Sequence, residues 1–326
     1  MKPLRCALYC SAFSAVGFTA PTTTAAPPSS EPAPKKKDAA SEWVFSLLPK
    51  SLQKNPRLEL TVITEMTEAG KKRATVSPQA PAYFEAITTG PRHLGHAPAG
   101  EKTLSPAQIE KLLTQSLATN GYLPARPPAI PPTILITYVW GSHNILTEGD
   151  TENPSLSGEQ VARNILDRAA LVGGAKFAER LLDLFTQADA LSLAASSRPP
   201  PGGESVFTPG LLDFANPVNL FKRASAKNEF LVDQTASDIY YVVATAYDYQ
   251  SVATNRRILL WRTRMTVAAQ GVSQEQSLPT LVLSAAPYFG KEMAEPEILS
   301  KRAVREGTVE VGTPTVVEPP TDPARK

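Results

Sequence analysis

The chain contains little cysteine and little histidine. Its 326 residues include two cysteines, Cys6 and Cys10, and three histidines. Both cysteines lie at the extreme N-terminus, so the rest of the chain is expected to form no disulfide and to carry out no thiol chemistry. Any histidine-based mechanism must use His93, His96 or His143.

Several motifs that identify enzyme classes are also missing. The sequence contains no GxSxG nucleophile elbow, no Walker loop, no GxGxxG fingerprint and no HExxH zinc motif. Hydrolase, nucleotide-binding and zincin functions therefore lose their usual support, and no cofactor is expected. No apolar run beyond the N-terminus approaches the roughly 20 residues of a membrane helix, so no transmembrane span is expected in the mature chain.

The charges are nearly balanced. Lysine and arginine number 33 against 31 aspartate and glutamate residues, which gives a formal net charge of +2. Because no stretch interleaves basic residues with aromatic ones, nucleic acid is not an expected partner. The run Lys35-Lys36-Lys37 is either solvated charge or a weak contact with an anionic surface.

Proline is abundant, and its clusters mark the ends of the chain as linkers. The sequence contains 31 prolines, about twice the usual share of roughly 5%. Residues 21–41 are expected to form a disordered tether and residues 312–326 a disordered tail, with a single domain at residues 42–311 between them.

The first 20 residues have the layout of a signal peptide. Met1, Lys2 and Arg5 precede a short, mostly apolar run from Cys6 to Phe18. This layout predicts export, to the periplasm, the outer membrane or the medium. Cleavage after Ala20 and cleavage near Ala25 or Ala26 are both open, and Cys10 is an alternative lipid anchor.

Five segments have the patterns of β-strands. Residues 58–66 alternate apolar and polar side chains, and residues 81–87 form a shorter run before a loop rich in glycine and proline. Residues 133–140 are apolar and β-branched, which is typical of a central strand. Residues 239–247 and 258–267 are expected to pair as an antiparallel hairpin, with Arg262 and Arg264 on its wet face.

Helices are predicted from capping boxes followed by helical periodicity. Ser105 with Gln108 starts one helix, and Ser157 with Gln160 starts a long stretch that breaks, or divides into two helices, at Gly173-Gly174. Short helices are expected after Thr208 and Asn216, and a last one at residues 278–289. The resulting expectation is an α+β fold, in which three or four helices pack on a mostly antiparallel or mixed sheet of about four to six strands.

His143 is the leading candidate for catalysis. It follows the central strand and precedes an acidic loop that contains Asp150. It is either a general base paired with Asp150 or Asp248, or part of a turn that ends the strand. His93 and His96 lie in a Gly/Pro loop without further ligands, so no metal site is expected.

Aromatic and basic residues near the hairpin are candidates for ligand binding. Tyr247 and Tyr249 are able to stack on a ligand, and Arg262 and Arg264 are able to bind an anion. The alternative is that the tyrosines belong to the core and the arginines to a solvated strand face.

Three segments carry a resemblance to a group of proteins. They are IEKLLTQSLATNGYLPA, PPTILITYVWGSHN and YYVVATAYDYQSVATNRRILLWRTRM. Together they resemble uncharacterised bacterial exported envelope proteins and lipoproteins, in which a helix ends in Gly-Tyr, a proline precedes a strand, and a hairpin ends in Leu-Trp-Arg. The matching positions are Gly121-Tyr122, residues 134–138 and Leu260-Trp261-Arg262. The resemblance covers under half of the chain; it implies an exported α+β domain and no activity or catalytic residues.

Three functions remain open at this point. The preferred one is a non-catalytic envelope protein that binds a ligand or a partner, such as another envelope protein, because the tether and the missing motifs agree with it. The second is an exported hydrolase that uses His143 with a nearby carboxylate. The third is a component of a secretion or envelope-assembly complex that associates through an exposed strand edge.

Overall fold

The structure is a computed structural model that describes residues 49–50, 53, 55–95, 102–146, 157–197 and 213–303. The expected signal peptide, tether and tail all lie outside the described residues. So do His96, Asp150, the Lys35-Lys36-Lys37 run and the short helix expected after Thr208. No described helix is long and apolar enough to cross a membrane.

A seven-stranded mixed sheet organises the described residues. Its strands in chain order are β1 (Arg57–Met66), β2 (Ala82–Leu94), β3 (Tyr122–Pro124), β4 (Ile134–His143), β5 (Ile239–Asp248), β6 (Leu259–Ala268) and β7 (Glu297–Arg302). Their order across the sheet is β3-β2-β4-β5-β6-β1-β7. β2 is parallel to β3 and β4, and the other neighbouring pairs are antiparallel. The α+β class is confirmed, with a larger sheet than expected.

The described helices outnumber the three or four that we expected. They are α1 (Glu68–Lys71), α2 (Pro106–Ala118), α3 (Gly158–Gly173), α4 (Ala175–Ser197), α5 (Pro217–Arg223), α6 (Ala226–Thr235), α7 (Tyr249–Ala253) and α8 (Gln274–Ser284). Both predicted capping boxes form, at the starts of α2 and α3. The predicted break is also confirmed: Gly174 separates α3 from α4 with a φ of +82°, which is a conformation that favours glycine.

An apolar core covers one side of the sheet, which we call the first face. Alternate strand residues pack there against α2 and α8. The strand side chains in this core include Leu60, Val62, Ile136, Trp140, Val242, Trp261 and Met265. The ring of Trp261 packs edge-on against Tyr122, with centroids 5.6 Å apart, and 6.1 Å from Phe289. This face therefore has the dense aromatic packing of a protein interior.

The opposite side, the second face, has a smaller apolar cluster and more polar groups. α3 lies against β1 and β6. The buried residues of the cluster are Ala169, Val172, Phe177, Leu181, Phe221, Leu231 and Ile239. Arg264 and Thr266 of β6 lie beneath this layer, at 9% and 0% exposure. The expectation that this side of β6 faces water is therefore wrong for Arg264, because helices that lie far along the chain cover it.

Two element boundaries also differ from the sequence expectation. β2 continues through Gly90 and Pro91, which we expected to form a loop, because a register shift between Thr88 and Pro91 accommodates them in the strand. The last helix begins at Gln274 rather than at residue 278, because Ser273 caps it, and it ends at Ser284. Its proline therefore lies inside the helix rather than at the start.

Candidate functional site

A cleft of about 480 Å³ opens where β1 ends beside the helices of the second face. We call it the charged cleft. Its walls are the end of β1, the α3–α4 junction, α5 and α6, and residues 292–296. Its volume lies within the range of roughly 300 to 1,000 Å³ that is common for small-molecule sites.

Apolar side chains form the floor of the charged cleft. They are Ile63, Met66, Phe177, Phe221, Leu231 and Met293. Residues 292–296 are held against β1 because the Met293 N–H donates to the Thr64 carbonyl at 3.0 Å and the Thr64 N–H donates to Met293 Sδ at 3.3 Å. The cleft thus offers an apolar surface, and the segment that forms one of its walls is fixed to β1 by hydrogen bonds.

Each carboxylate of the charged cleft already has a cationic partner. Glu65 forms a salt bridge with Arg264, and its other oxygen accepts a hydrogen bond from the Ala175 N–H at 2.9 Å. Glu292 lies 3.4 Å from the Lys71 ammonium, and this charge raises the pKa of Lys71.

The third carboxylate, Glu295, binds Lys227 at 2.7 Å. The hydrogen bond from Lys227 lowers the pKa of Glu295. Glu65, Glu292 and Glu295 are therefore compensated within the protein, and none of them offers a free carboxylate to the cleft.

Two cations of the cleft have no such partner in the part of the chain that the structure describes. Lys176 and Arg180 stand one turn apart on α4 and line the cleft. Among the described residues, neither has a carboxylate within salt-bridge distance. The Arg180 guanidinium carbon lies 4.6 Å from the ring centroid of Phe221, a cation–π contact that holds the side chain over the apolar floor.

His143 does not reach this cleft. It is the last residue of β4, it is paired with Ile239 and Leu94 on either side, and it is 1% exposed. Neither ring nitrogen forms a hydrogen bond of good geometry with a described residue, although an interaction with the Asn144 backbone acts to raise the pKa of His143. Burial, followed by the charge of Arg168, lowers the pKa of His143 to about 4. His143 is therefore neutral at pH 7 and sealed from solvent.

A buried polar network lies beside His143. Arg168 of α3, at 1% exposure, donates to the Thr235 carbonyl and to Asn164 Oδ1, both at 2.7 Å. Asn164 in turn donates to the Asn144 carbonyl at 3.2 Å. These bonds tie α3 and the end of α6 to the end of β4, which is a structural role.

Asp248 lies far from His143. Ile134 is the register partner of Asp248, whereas His143 is the partner of Ile239 at the other end of the same strand pair. At about 3.3 Å per residue, this separation is roughly 30 Å. Asp248 caps α7 by accepting from the Ser251 N–H at 2.8 Å, and it binds Arg73 at 2.6 Å. The structure does not bring the two together.

The candidate ligand-binding residues divide into two groups. Tyr247 of β5 and Arg262 of β6 are half-buried on the second face. The Tyr249 hydroxyl hydrogen-bonds to Glu85, which raises the pKa of Tyr249. Arg264 differs from them because it forms a salt bridge with Glu65, which lines the charged cleft and is also the cross-strand register partner of Arg262.

His93 has a local partner. Its Nδ1 lies 2.9 Å from Ser142 Oγ across the β2–β4 pair. Within the described ranges, no group of three histidine, cysteine, aspartate or glutamate side chains is arranged to hold a metal ion.

No model of a known protein family matches the sequence, and a search among curated proteins finds no relative.

Sequence reasoning missed Lys176 and Arg180. Their spacing within a predicted helix, either side of the apolar Phe177, was the available signal. It was not decisive, because the wall formed by residues 292–296 comes from a distant part of the sequence and completes the cleft only in the folded chain.

Proposed function

We propose that this chain is an exported envelope protein whose α+β domain binds a ligand and performs no catalysis. The observation that carries the binding function is the charged cleft, in which Lys176 and Arg180 lie beside an apolar floor and pair with no carboxylate of the described ranges. A concave, largely apolar site with a few convergent polar groups is the usual form of a small-molecule site.

Two observations favour binding over catalysis. His143, the residue on which the hydrolase alternative depends, is buried and lies about 30 Å along the strand pair from Asp248, by the rise per residue. The carboxylates of the charged cleft are each engaged in an ion pair with a protein cation rather than available as a general acid or base.

Export rests on the N-terminal sequence, and cell fractionation tests it. We expect the protein in the envelope fraction or the medium, with a mature N-terminus between residues 21 and 27. An unprocessed N-terminus at Met1 in the cytosolic fraction would contradict export.

Ligand binding is tested by NMR titration of the full mature chain with three probes that share a ten-carbon body: decanoate, decanol and decyltrimethylammonium. We expect at least one probe to cause saturable shifts in the backbone amides of residues 173–180 and 292–295. If none of the three shifts these amides, the cleft is not a ligand site.

Assembly through a strand edge is a second candidate, because β3 pairs only with residues 82–84 of β2. Beyond that point, the outer edge of β2 has no strand neighbour among the described elements. A sizing column with light scattering tests this: a concentration-dependent dimer that Ile87→Lys abolishes supports edge pairing, and a monomer at all concentrations contradicts it.

A further inference from the structure

The charge balance of the cleft indicates which kind of ligand it takes. Four cations line it, Lys71, Lys176, Arg180 and Lys227, against the three carboxylates Glu65, Glu292 and Glu295. Arg264 approaches from below and neutralises Glu65. Lys227 pairs with Glu295, and Lys71 pairs with Glu292 and also with Glu68, which does not line the cleft. Lys176 and Arg180, both on α4, are therefore the lining cations without a carboxylate partner among the described residues.

We infer that the ligand is an amphipathic anion, in which a carboxylate or phosphate group is attached to an apolar body. This inference rests on the proposed binding function and names the chemistry of that same site. Lys176 and Arg180 bind the anionic group at the rim, and the apolar body lies on Phe177, Leu231 and Met293.

The geometry of Arg180 supports this assignment. Its guanidinium carbon lies 4.6 Å from the centroid of the Phe221 ring, and a guanidinium in contact with an aromatic ring is able to bind an anion through its several N–H donors. Lys176 stands one helical turn before it on the same helix, so one anionic group is able to contact both side chains. A bound carboxylate or phosphate would form charge-assisted hydrogen bonds with both.

Cationic and neutral ligands fit the cleft less well. A cationic headgroup would meet Lys176 and Arg180, and the three carboxylates that would attract it already bind protein cations. A neutral headgroup would contact the same floor but would leave the two cations without a counter-charge. The order of affinity is therefore anion, then neutral, then cation.

The test compares dissociation constants of the full mature chain for decanoate, decyl phosphate, decanol and decyltrimethylammonium. We expect the dissociation constants of both anions to be at least about tenfold lower than that of decanol, because only the anions form charge-assisted hydrogen bonds with the two cations. The ranking of the two anions then distinguishes a carboxylate from a phosphate headgroup.

The variant Lys176→Gln with Arg180→Gln should abolish this preference, and Arg180→Lys should retain part of it. The matched control is Lys111→Gln with Lys301→Gln, which removes two exposed charges from α2 and β7 and should leave the affinities unchanged. All these side chains are exposed, so the variants are expected to fold, and a thermal melt checks this.

Two results would overturn the inference, and they differ in whether the proposed binding function is also overturned. If decanol binds as tightly as decanoate, or if the double variant keeps the preference for anions, the anionic ligand is wrong while the binding function survives. If no probe binds the cleft, both fail.

Discussion

The two faces of the sheet are built differently. The first face is covered by α2 and α8 over a continuous apolar core that includes Trp140 and Trp261. On the second face, α3 lies against β1 and β6, and α4 to α6 pack with it in the helical layer. Buried polar groups such as Arg168 and Arg264 interrupt the apolar cluster of this face. Packing alone therefore explains which side chains lie on the first face, but it does not explain the buried polar groups of the second face.

We infer from the difference that the first face stabilises the fold and that the second face also provides a binding site. Buried charge costs free energy unless it is paired, so a protein gains no stability by placing arginine where leucine would fit. On the second face, the pair formed by Arg264 and Glu65 lies directly under the charged cleft. We expect substitutions on the first face to change stability alone, and substitutions at the cleft to change binding.

The largest expected effect is on the first face. Trp261→Ala removes a ring that is 2% exposed and packed against Tyr122 and Phe289. We expect the free energy of unfolding to fall by about 3 to 5 kcal/mol, as for other buried large-to-small substitutions. Urea denaturation measures it, with Leu182→Ala, at a residue 48% exposed, as the control. A loss below about 1 kcal/mol would show that the first face is not the stabilising core.

The next effect concerns pH and the second face. The pKa of folded His143 is about 4, below the unfolded value of about 6.5. Between pH 6.5 and 4, the unfolded state therefore binds a proton that the folded state does not, and stability falls as the pH falls through this window. The loss is about 3 kcal/mol at 1.36 kcal/mol per pH unit, with no further contribution from His143 below about pH 4.

His143→Leu separates this effect from the titration of other groups. Because the ring nitrogens of His143 form no hydrogen bond of good geometry with a described residue, we expect the substitution to cost less than about 1.5 kcal/mol at pH 7. The substitution should also remove the contribution of His143 to the decrease in unfolding free energy between pH 6.5 and pH 4. Urea denaturation across that range measures both, and parallel pH profiles for the two proteins would show that His143 does not contribute.

A smaller effect is expected at the base of the cleft. Glu65→Gln removes the charge that faces Arg264 but keeps an oxygen that is able to accept from the Ala175 N–H. Because the Glu65 side chain is 28% exposed, water compensates part of the loss, and we expect about 1 to 2 kcal/mol in unfolding free energy. The control is Glu159→Gln, in the exposed pair with Arg163, which should cost about 0.5 kcal/mol or less. Equal losses would argue against a special role for the Glu65 pair.

The smallest effect is expected at the residues that the sequence highlighted. Tyr247→Phe, Tyr249→Phe and Arg262→Gln should leave the dissociation constant for decanoate within about twofold, because none of them lines the charged cleft. Isothermal titration calorimetry gives the comparison with Lys176→Gln. A tenfold loss of affinity for decanoate in any of the three variants would indicate that the ligand binds near that residue rather than at the charged cleft.

The local parts of the fold could be predicted from the sequence. Alternation identified β1, the apolar run identified β4, and the residues of each capping box lie within one turn of each other, as at Ser105 and Gln108. The edge strand β7 was missed because EILSKR is short and charged and pairs with β1 from the far end of the domain.

The site could not be predicted in the same way. Lys176 and Arg180 resemble ordinary solvated residues on a helix, and only the contacts among β1, α4 and residues 292–296 turn them into the rim of a cleft. Conversely, Arg264 resembles a residue on a wet strand face, but Glu65 and the helices above it bury it. Both errors arise from long-range packing, which local patterns do not contain.

The most direct test of the central claim, that the second face binds a ligand at the charged cleft, is to map decanoate binding by amide NMR on the full mature chain. We expect saturable shifts at residues 173–180 and 292–295, and none among the residues around Tyr247 and Tyr249. Shifts confined to the latter group, or no saturable shifts at all, would contradict the account.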